Sequence, residues 1–369
     1  KWLVRNKLAI VFEELGPSIN SKYPDYYPFV AKDESFIVFT SRRGGALEFD
    51  GFYQSDIYLA PYGEGAFLKA GRGNANINSE FDDQTVGLSD HADRLFVYID
   101  NIKEVGDIYV AKKDGNRIGK IVKLGTNVNS AALETSCSIS ADGNTLFFTS
   151  SRAGGQGGLD IYMSRRLPDQ SWGLPQNLGS QINSKYNEDF PTLSADGQTL
   201  YFCSEGHNSM GGYDIFTSQW EGESNSWSQP KNIGYPINDA MDNRTISFLD
   251  DGKTAYISAL RKGGLGDLDI YRVRFPYQIV IRLQLPTDDL DNPFIKNAHV
   301  QIDNPNLEIP LSFGANQKTG FYTLIINNPG VYTLTIEADG YEMHEETITL
   351  KGKAEEGSVS FKFINLKTN

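Results

Sequence analysis

Three observations predict an all-β fold for this sequence: a motif that recurs five times, strand-like runs punctuated by Gly and Asp-Gly turns, and a change of pattern after Phe275. The chain has 369 residues, enough for more than one domain. Its 36 glycines, with 12% aromatic residues, favour short strands joined by tight turns. At 39% hydrophobic and 22% charged residues it is neither a disordered nor a collagen-like chain. No run approaches the ~18 apolar residues of a membrane helix. A net charge of −13 argues against nucleic acid and against anionic lipid surfaces as partners. Cys137 and Cys203 are too few for a disulfide scaffold and lie in strand-like runs, which reads as buried free thiols. No signal-peptide pattern follows Lys1, as expected of a chain whose signal has been removed or of an excised piece.

The repeat carries the fold. An Ile-Asn or Val-Asn step occurs at Asn20, Asn78, Asn129, Asn183 and Asn238. Thirteen residues after each comes a turn residue, Asp33, His91, Asp142, Asp196 or Asp251, followed by Gly in the last three copies. An aromatic-rich run comes next, such as Phe36-Ile37-Val38-Phe39 or Leu146-Phe147-Phe148, and each copy closes on Asp-Ile-aromatic, at Asp56, Asp107, Asp160, Asp214 and Asp269. Those five aspartates are spaced 53 residues apart on average. Each unit reads as a four-stranded meander: a short strand (Pro191 to Ser194 in the fourth copy), an Asp-Gly turn, the aromatic strand, a Gly-rich connection, the Asp-Ile-Tyr strand, and a fourth strand as in Trp172 to Gly179 or Trp227 to Gly234. Such a sheet is apolar on both faces, and radial stacking buries them. That is a β-propeller, here with five blades over residues 1–275.

The fifth copy stops after its third strand, whereas the chain opens with Lys7 to Gly16, ending in the Leu-Gly that finishes fourth strands elsewhere. This N-terminal strand is expected to complete blade five and remove two exposed edges. Copy two lacks the Gly pair before Asp107 and has His91 at the turn, but keeps the spacing.

After Phe275 a different alternation begins, with strand-like runs at Ile279 to Leu285, Ala298 to Ile302, Gly320 to Ile325, Gly330 to Ile336, Glu346 to Leu350 and Ser358 to Phe363, and a polar loop through Asp291-Asn292-Pro293. Strands this closely spaced predict a small transthyretin-like or Ig-like β-sandwich over residues 276–369.

The repeated Ser41-Arg42…Asp56-Ile57-Tyr58 and Ser151-Arg152…Asp160-Ile161-Tyr162 resemble the WD-like repeats of TolB-type periplasmic propellers. The tail, with Asn297-Ala298-His299-Val300, Gly320-Phe321-Tyr322 and Ala338-Asp339-Gly340-Tyr341, resembles a carboxypeptidase-regulatory-type sandwich. The two in this order are similar to PorE-like, OmpA-family envelope proteins of the type IX secretion system. That resemblance implies a periplasmic place at the outer membrane and envelope proteins of a secretion complex as partners. It implies peptidoglycan contact only through an OmpA-like domain that these residues do not contain.

Candidate chemistry lies before each first strand. Five residues after the repeat Asn come Asp25, Asp83, Glu134 and Glu188, with Asp242 one residue short of that place in the fifth copy. With Tyr26, these are the candidate ligand- or partner-binding residues at one mouth of the axial channel. Converging carboxylates suit a divalent cation, so a structural Ca²⁺ is considered, or a sugar. The competing reading is an acid that stabilises a turn and recurs because the blade recurs. An enzyme requires one blade to break the symmetry; Asp82-Asp83 and Glu188-Asp189 come nearest, yet neighbours on a strand face opposite ways. The Asp of Asp-Ile-Tyr is expected to accept backbone or Arg hydrogen bonds, with Arg42, Arg152 and Arg261 as partners. His91, His207, His299 and His344 show no zinc spacing, and the Gly-rich loops precede no Lys-Ser/Thr and helix. Tyr23, Tyr26, Tyr27 and Tyr186 suit either a partner surface or packing between blades.

The expectation from sequence is therefore a scaffold without catalytic residues or cofactor, with a glycan-binding or glycan-cleaving propeller as the alternative. Removing residues 1–14 is expected to lower the melting temperature sharply if the N-terminal strand closes the ring; an unchanged value in a thermal scan would contradict that closure.

Overall fold

The computed structural model describes the chain except for residues 1, 6–7, 9, 48–50, 102–103, 223–224, 276–278, 291, 306, 308–309, 317–318, 327–329, 351–358 and 369. Lys1, Lys7, Asp291 and Ser358, named above, lie outside the described residues. Apart from a four-residue helical turn at Trp2–Arg5 the described elements are strands. No helix among the described residues is long and apolar enough to cross a membrane. The chain forms two compact units, Val11–Arg274 and a second of Lys1–Ile10 with Phe275–Asn369.

The Val11–Arg274 unit contains five antiparallel sheets, one for each sequence repeat. The first is built on Asp25–Val30, Phe36–Ser41 and Asp56–Gly63. The second uses Asp82–Leu88, Arg94–Asn101 and Glu104–Asp114. The third uses Glu134–Ile139, Thr145–Ser150 and Asp160–Arg165. The fourth uses Glu188–Leu193, Thr199–Ser204 and Asp214–Glu221, its first strand starting three residues before the expected Pro191. The fifth uses Ile246–Phe248, Thr254–Ala259 and Asp269–Arg274. Its outer strand comes from the other end of the unit: Val11–Glu14 runs antiparallel to the last strand, Val11 opposite Arg274 and Glu14 opposite Tyr271.

The expected fourth strands are mostly reduced to two-residue pieces, Gln176–Asn177 in the third sheet and Lys231–Asn232 in the fourth. Pro175 and Pro230, directly before them, have no N–H to give a longer ladder. The turn geometry is uniform even where the residue is not. Gly143, Gly197 and Gly252 take positive φ, and in the first two copies Glu34 (φ 61°) and Ala92 (φ 54°) are held in the same left-handed conformation.

Phe36–Ser41, Thr145–Ser150 and Thr254–Ala259 are buried along their whole length, so both faces of these sheets are covered. Ile19, Phe39 and Tyr58 pack with Tyr256 and Ile270 of the fifth sheet, and Phe147 and Ile161 pack with Ile182, Phe202 and Phe216 of the fourth. Gly157 lies where a Cβ would collide with the Tyr186 carbonyl oxygen, so the Gly-rich connection permits close approach of adjacent sheets. Cys137 and Cys203 are buried free thiols whose pKa burial pushes up.

The repeat Asn explains itself at this level. Asn78 Oδ1 accepts from Ile57 N–H (2.7 Å) while its Nδ2 donates to Ile57 C=O (3.0 Å). The same two-way bond joins Asn129 to Ile108 (3.0 and 2.8 Å) and Asn183 to Ile161 (2.8 and 3.0 Å). It also joins Asn238 to Ile215 (both 2.8 Å) and Asn20 to Ile270 (2.8 and 3.0 Å). Each amide therefore pairs the loop of one repeat to the Asp-Ile-Tyr strand of the preceding sheet, and the Asn20 pair returns from the fifth sheet to the first. All five side chains are at most 5% exposed, so their donors and acceptors have no water to fall back on.

The other unit holds a three-stranded sheet, with Ile279–Gln284 between Tyr322–Ile326 and a parallel Val359–Phe363, and a four-stranded sheet of Leu311–Phe313, His299–Asp303, Gly330–Glu337 and His344–Leu350. Leu283, Val300, Leu324, Leu334 and Ile336 belong to its shared core. The fully buried Tyr322 hydroxyl accepts from Ala298 N–H (3.0 Å) and donates to Ile295 C=O (3.1 Å).

Replacing Asn183 with Ala leaves the Ile161 N–H and C=O buried without these partners. Urea unfolding is expected to show a loss of about 2–4 kcal/mol; a loss below about 0.5 kcal/mol would show that the amide does not hold the sheets together.

Candidate functional site

The repeated acids lock loops. Asp25 accepts from Ser21 N–H (2.6 Å), the Ser21 hydroxyl (2.9 Å) and Arg43 (2.5 Å). Asp83 accepts from Ser79 N–H (2.5 Å) and its hydroxyl (3.0 Å). Glu134 accepts from Ser130 N–H (2.8 Å), the Ser130 and Ser150 hydroxyls (2.7 and 2.6 Å) and Arg152 (3.1 Å). Glu188 does so from Ser184 N–H (2.8 Å) and the Ser184 and Ser204 hydroxyls (2.7 and 2.6 Å). All four acids have zero exposure. In the fifth copy the place is taken by Asn243, whose Oδ1 accepts from Asp239 N–H (2.8 Å). Asp242 stands outside the set, half-exposed and paired with Arg244 at 3.0 Å. These carboxylates thus face the loops that precede them, each closing an Asn-Ser-x-x-x-acid turn. Among the described residues no group of three or more His, Cys, Asp or Glu is arranged to hold a metal ion.

The acids of Asp-Ile-Tyr also sit at corners and accept backbone or Arg hydrogen bonds as expected, but not from Arg42, Arg152 or Arg261. Asp56 is gripped by Arg72 through two bonds (2.7 and 2.6 Å) and Asp107 is paired with Lys123. Asp160, Asp214 and Asp269 accept backbone N–H groups of Gln156, Met210 and Leu265. Arg42 instead lies beside Asp82, Arg152 serves Glu134, and Arg261 bonds to Pro236 C=O.

Symmetry breaks in the second sheet. Asp82 and Asp100 are direct partners across its first hairpin, as are Gln84 and Tyr98, so these four side chains share one face. The equivalent step pairs Pro24 with Arg42 in the first sheet, Leu133 with Ser151 in the third and Asn187 with Glu205 in the fourth. Directly opposed side chains have Cβ atoms about 4.5–5.5 Å apart, and like charges there destabilise the sheet. The two carboxyls are not equivalent. Asp82 accepts from Ser55 N–H (2.7 Å) and its hydroxyl (2.5 Å), with Arg42 at 4.0 Å. The pKa of Asp100 is raised, first by burial and then by the charge of Asp82. The Tyr98 phenol is pushed up by burial and by the carboxylates of Asp100, Asp189, Asp107 and Asp82.

A break in register follows the same point in four of the first strands, after Tyr26, Thr85, Glu134 and Asp189. Tyr27 (φ 51°) and Phe190 (φ 50°) are left-handed there, a strained conformation for aromatic residues, and their rings meet at 4.5 Å. Tyr27, Tyr98, Phe190 and Tyr213 belong to one apolar cluster. Asp189, almost fully buried, accepts from Thr135 and Ser136 hydroxyls (2.7 and 2.5 Å). Glu188 and Asp189 therefore do face opposite ways, as strand alternation requires. Arg244 lies over Tyr213 at 4.0 Å from the ring centre. Of the residues nominated from sequence, Tyr26 is buried with its pKa raised by burial, and Asp25, Asp83, Glu134 and Glu188 are loop locks, while Asp242 is not. Asp100, Tyr98 and the role of Asp82 were not among those nominations; counting outward from the hairpin turn pairs Asp82 with Asn101, and only the register break between Thr85 and Gly87 brings Asp100 opposite it.

No family model matches the sequence, and no curated protein does. Among solved structures, one described as a glycoside hydrolase is 10% identical, with 73% of this chain and 93% of that chain covered at a TM-score of 0.51. An endo-arabinase from Bacteroides thetaiotaomicron is 15% identical, with 72% and 98% covered at a TM-score of 0.46. TolB from Acinetobacter baumannii is 17% identical at a TM-score of 0.44; 70% of this chain is covered, and this chain spans 56% of that one. The structural neighbours thus include TolB-type proteins, while the type IX secretion family is not shown. The expectation that this chain is no enzyme is overturned: chains of its fold include a glycoside hydrolase, and the second sheet carries the asymmetric acid pair that the sequence reading required of one.

Burial raises the pKa of Asp83 to about 7 and also raises that of Glu188. An acid whose folded pKa lies above its unfolded value favours the fold when protonated, so Asp83 weakens stability as pH climbs from 3.8 to about 7. Asp83→Asn, which copies Asn243, is expected to raise the melting temperature by about 2–4 °C at pH 8 and less at pH 5. A larger gain at pH 5 would contradict the assignment.

Proposed function

We propose that this chain is a five-bladed propeller followed by a small β-sandwich, and that the propeller acts on glycans through Asp82 and Asp100. The observation that carries the reading is the pair of carboxyls opposed across one hairpin, in a position where three sister sheets place Pro with Arg, Leu with Ser and Asn with Glu. A like-charge pair costs stability, and sheets keep such pairs where they serve a site. A retaining glycosidase sets two carboxyls about 5–5.5 Å apart, and direct opposition across the hairpin places the Cβ atoms of Asp82 and Asp100 about 4.5–5.5 Å apart.

The environments assign the roles. Asp100, held toward its protonated form by burial and by its neighbour's charge, is the acid that protonates the leaving oxygen. Asp82, anchored by Ser55 and flanked by Arg42, is the carboxylate that attacks the anomeric carbon. Asp100, its proton given up, then draws a proton from the water that releases the sugar. Tyr98, on the same face, supplies aromatic surface for a sugar ring. The glycoside hydrolase of like fold supports this reading.

A panel of polysaccharides and aryl glycosides tests it. Release of sugar with retained anomeric configuration, read by NMR, is expected, with a loss of about 10²–10⁴-fold in Asp100→Asn while its melting temperature does not fall. Failure of every glycan to be bound or cleaved would remove the proposal.

A further inference from the structure

The five-fold repeat makes each copy a control for the others, and one arginine lacks what its counterparts have. Arg43 and Arg152 occupy the same place in the first and third sheets. Arg43 donates from Nε to the Ser41 hydroxyl (2.8 Å), from its terminal nitrogen to Asp25 (2.5 Å), and to Ile19 C=O. Arg152 repeats the set with Ser150 (2.8 Å), Glu134 (3.1 Å) and Val128 C=O (2.6 Å). Arg261 is the fifth-sheet counterpart. It keeps a carbonyl contact, to Pro236 at 2.5 Å, but Ala259 stands where Ser41 and Ser150 stand, and Asn243 stands in place of the acid. Its buried Nε has no hydrogen-bond partner, and no carboxylate lies within ion-pair distance of its guanidinium among the described residues.

A guanidinium is never deprotonated, so loss of its internal acid leaves a fixed positive charge seeking an anion. Arg261 opens onto a pocket of about 480 Å³ lined also by Phe12, Glu14, Asp239, Lys262 and Tyr271. The guanidinium is stacked on Phe12, 3.3 Å from the ring centre, which fixes its plane. Lys262 adds a second cation, while Glu14 and Asp239 supply acceptors for hydroxyl groups. Glu14 is already held by Asn20 Nδ2 (2.6 Å), and Asp239 accepts from Met241 N–H (2.8 Å).

We infer that this pocket binds a carboxylated sugar: Arg261, with Lys262, takes the carboxylate, and Glu14 and Asp239 take the hydroxyls. This rests on the glycan reading above and adds to it a uronic acid as the recognised unit. A planar carboxylate matches the two parallel N–H directions of a guanidinium, which gives the site both charge and shape selectivity.

The test is calorimetric titration of the whole chain with glucuronate, glucose and acetate. Glucuronate is expected to bind at least tenfold more tightly than either of the others. Arg261→Gln is expected to lose that preference. So is the double variant Asn243→Glu with Ala259→Ser, which rebuilds the internal acid and serine of the third sheet and is expected to melt no lower than the parent. Equal binding of glucuronate and glucose, equal binding of acetate, or full glucuronate binding by either variant overturns the inference. Because Asp82 and Asp100 are untouched in these variants, cleavage or binding of neutral glycans that survives such a result leaves the acid pair's role standing.

Discussion

The five Asn amides are the constraint from which the rest of the Val11–Arg274 unit follows. A side-chain amide offers one acceptor and two donors in a plane, the complement of a peptide N–H and C=O on one residue. Placed against the Ile of each Asp-Ile-Tyr strand, it lets a loop behave as a one-residue strand without the flatness that a continuous ladder would impose between sheets. The bond is buried, so its alternative is not hydration but an unmet donor and acceptor. Once these amides are placed, the turns that hold them need the Ser and the acid four residues on, and those acids need either an arginine or a raised pKa.

Repetition made the architecture legible. A motif at a fixed interval reports a unit that is used again, so the sheets, their order and the strand that joins Val11–Glu14 to Asp269–Arg274 were within reach of residue counting. The second unit was legible as a run of strands because Val300, Leu334 and Ile336 alternate with polar neighbours. Fourth strands were overread, since Trp172 to Gly179 looks β-like in composition while Pro175 denies it a ladder.

Repetition also accounts for the acids nominated from sequence. Residues that recur serve what recurs, and Asp25, Asp83, Glu134 and Glu188 recur because every copy has the same turn to close. The proposed chemistry rests on the departures: Asp100 opposite Asp82, Asn243 in a row of acids, Ala259 in a row of serines. These are invisible to composition, because a departure has meaning only against the register that defines the rule. Asp100 entered no motif, being eighteen residues from Asp82 along the chain and its partner only through the hairpin.

The outer strand of the fifth sheet is the first stretch of that unit to leave a ribosome, and the strand it lies against is the last. More than 250 residues separate Glu14 from its partner Tyr271. At about 5–20 residues per second, synthesis of that span takes on the order of 15–50 s. Four sheets can assemble in that interval while Val11–Glu14 has no ladder to join. Nascent chains stalled before residue 269 would thus carry an unsatisfied β-edge, a natural handle for a chaperone and a hazard without one.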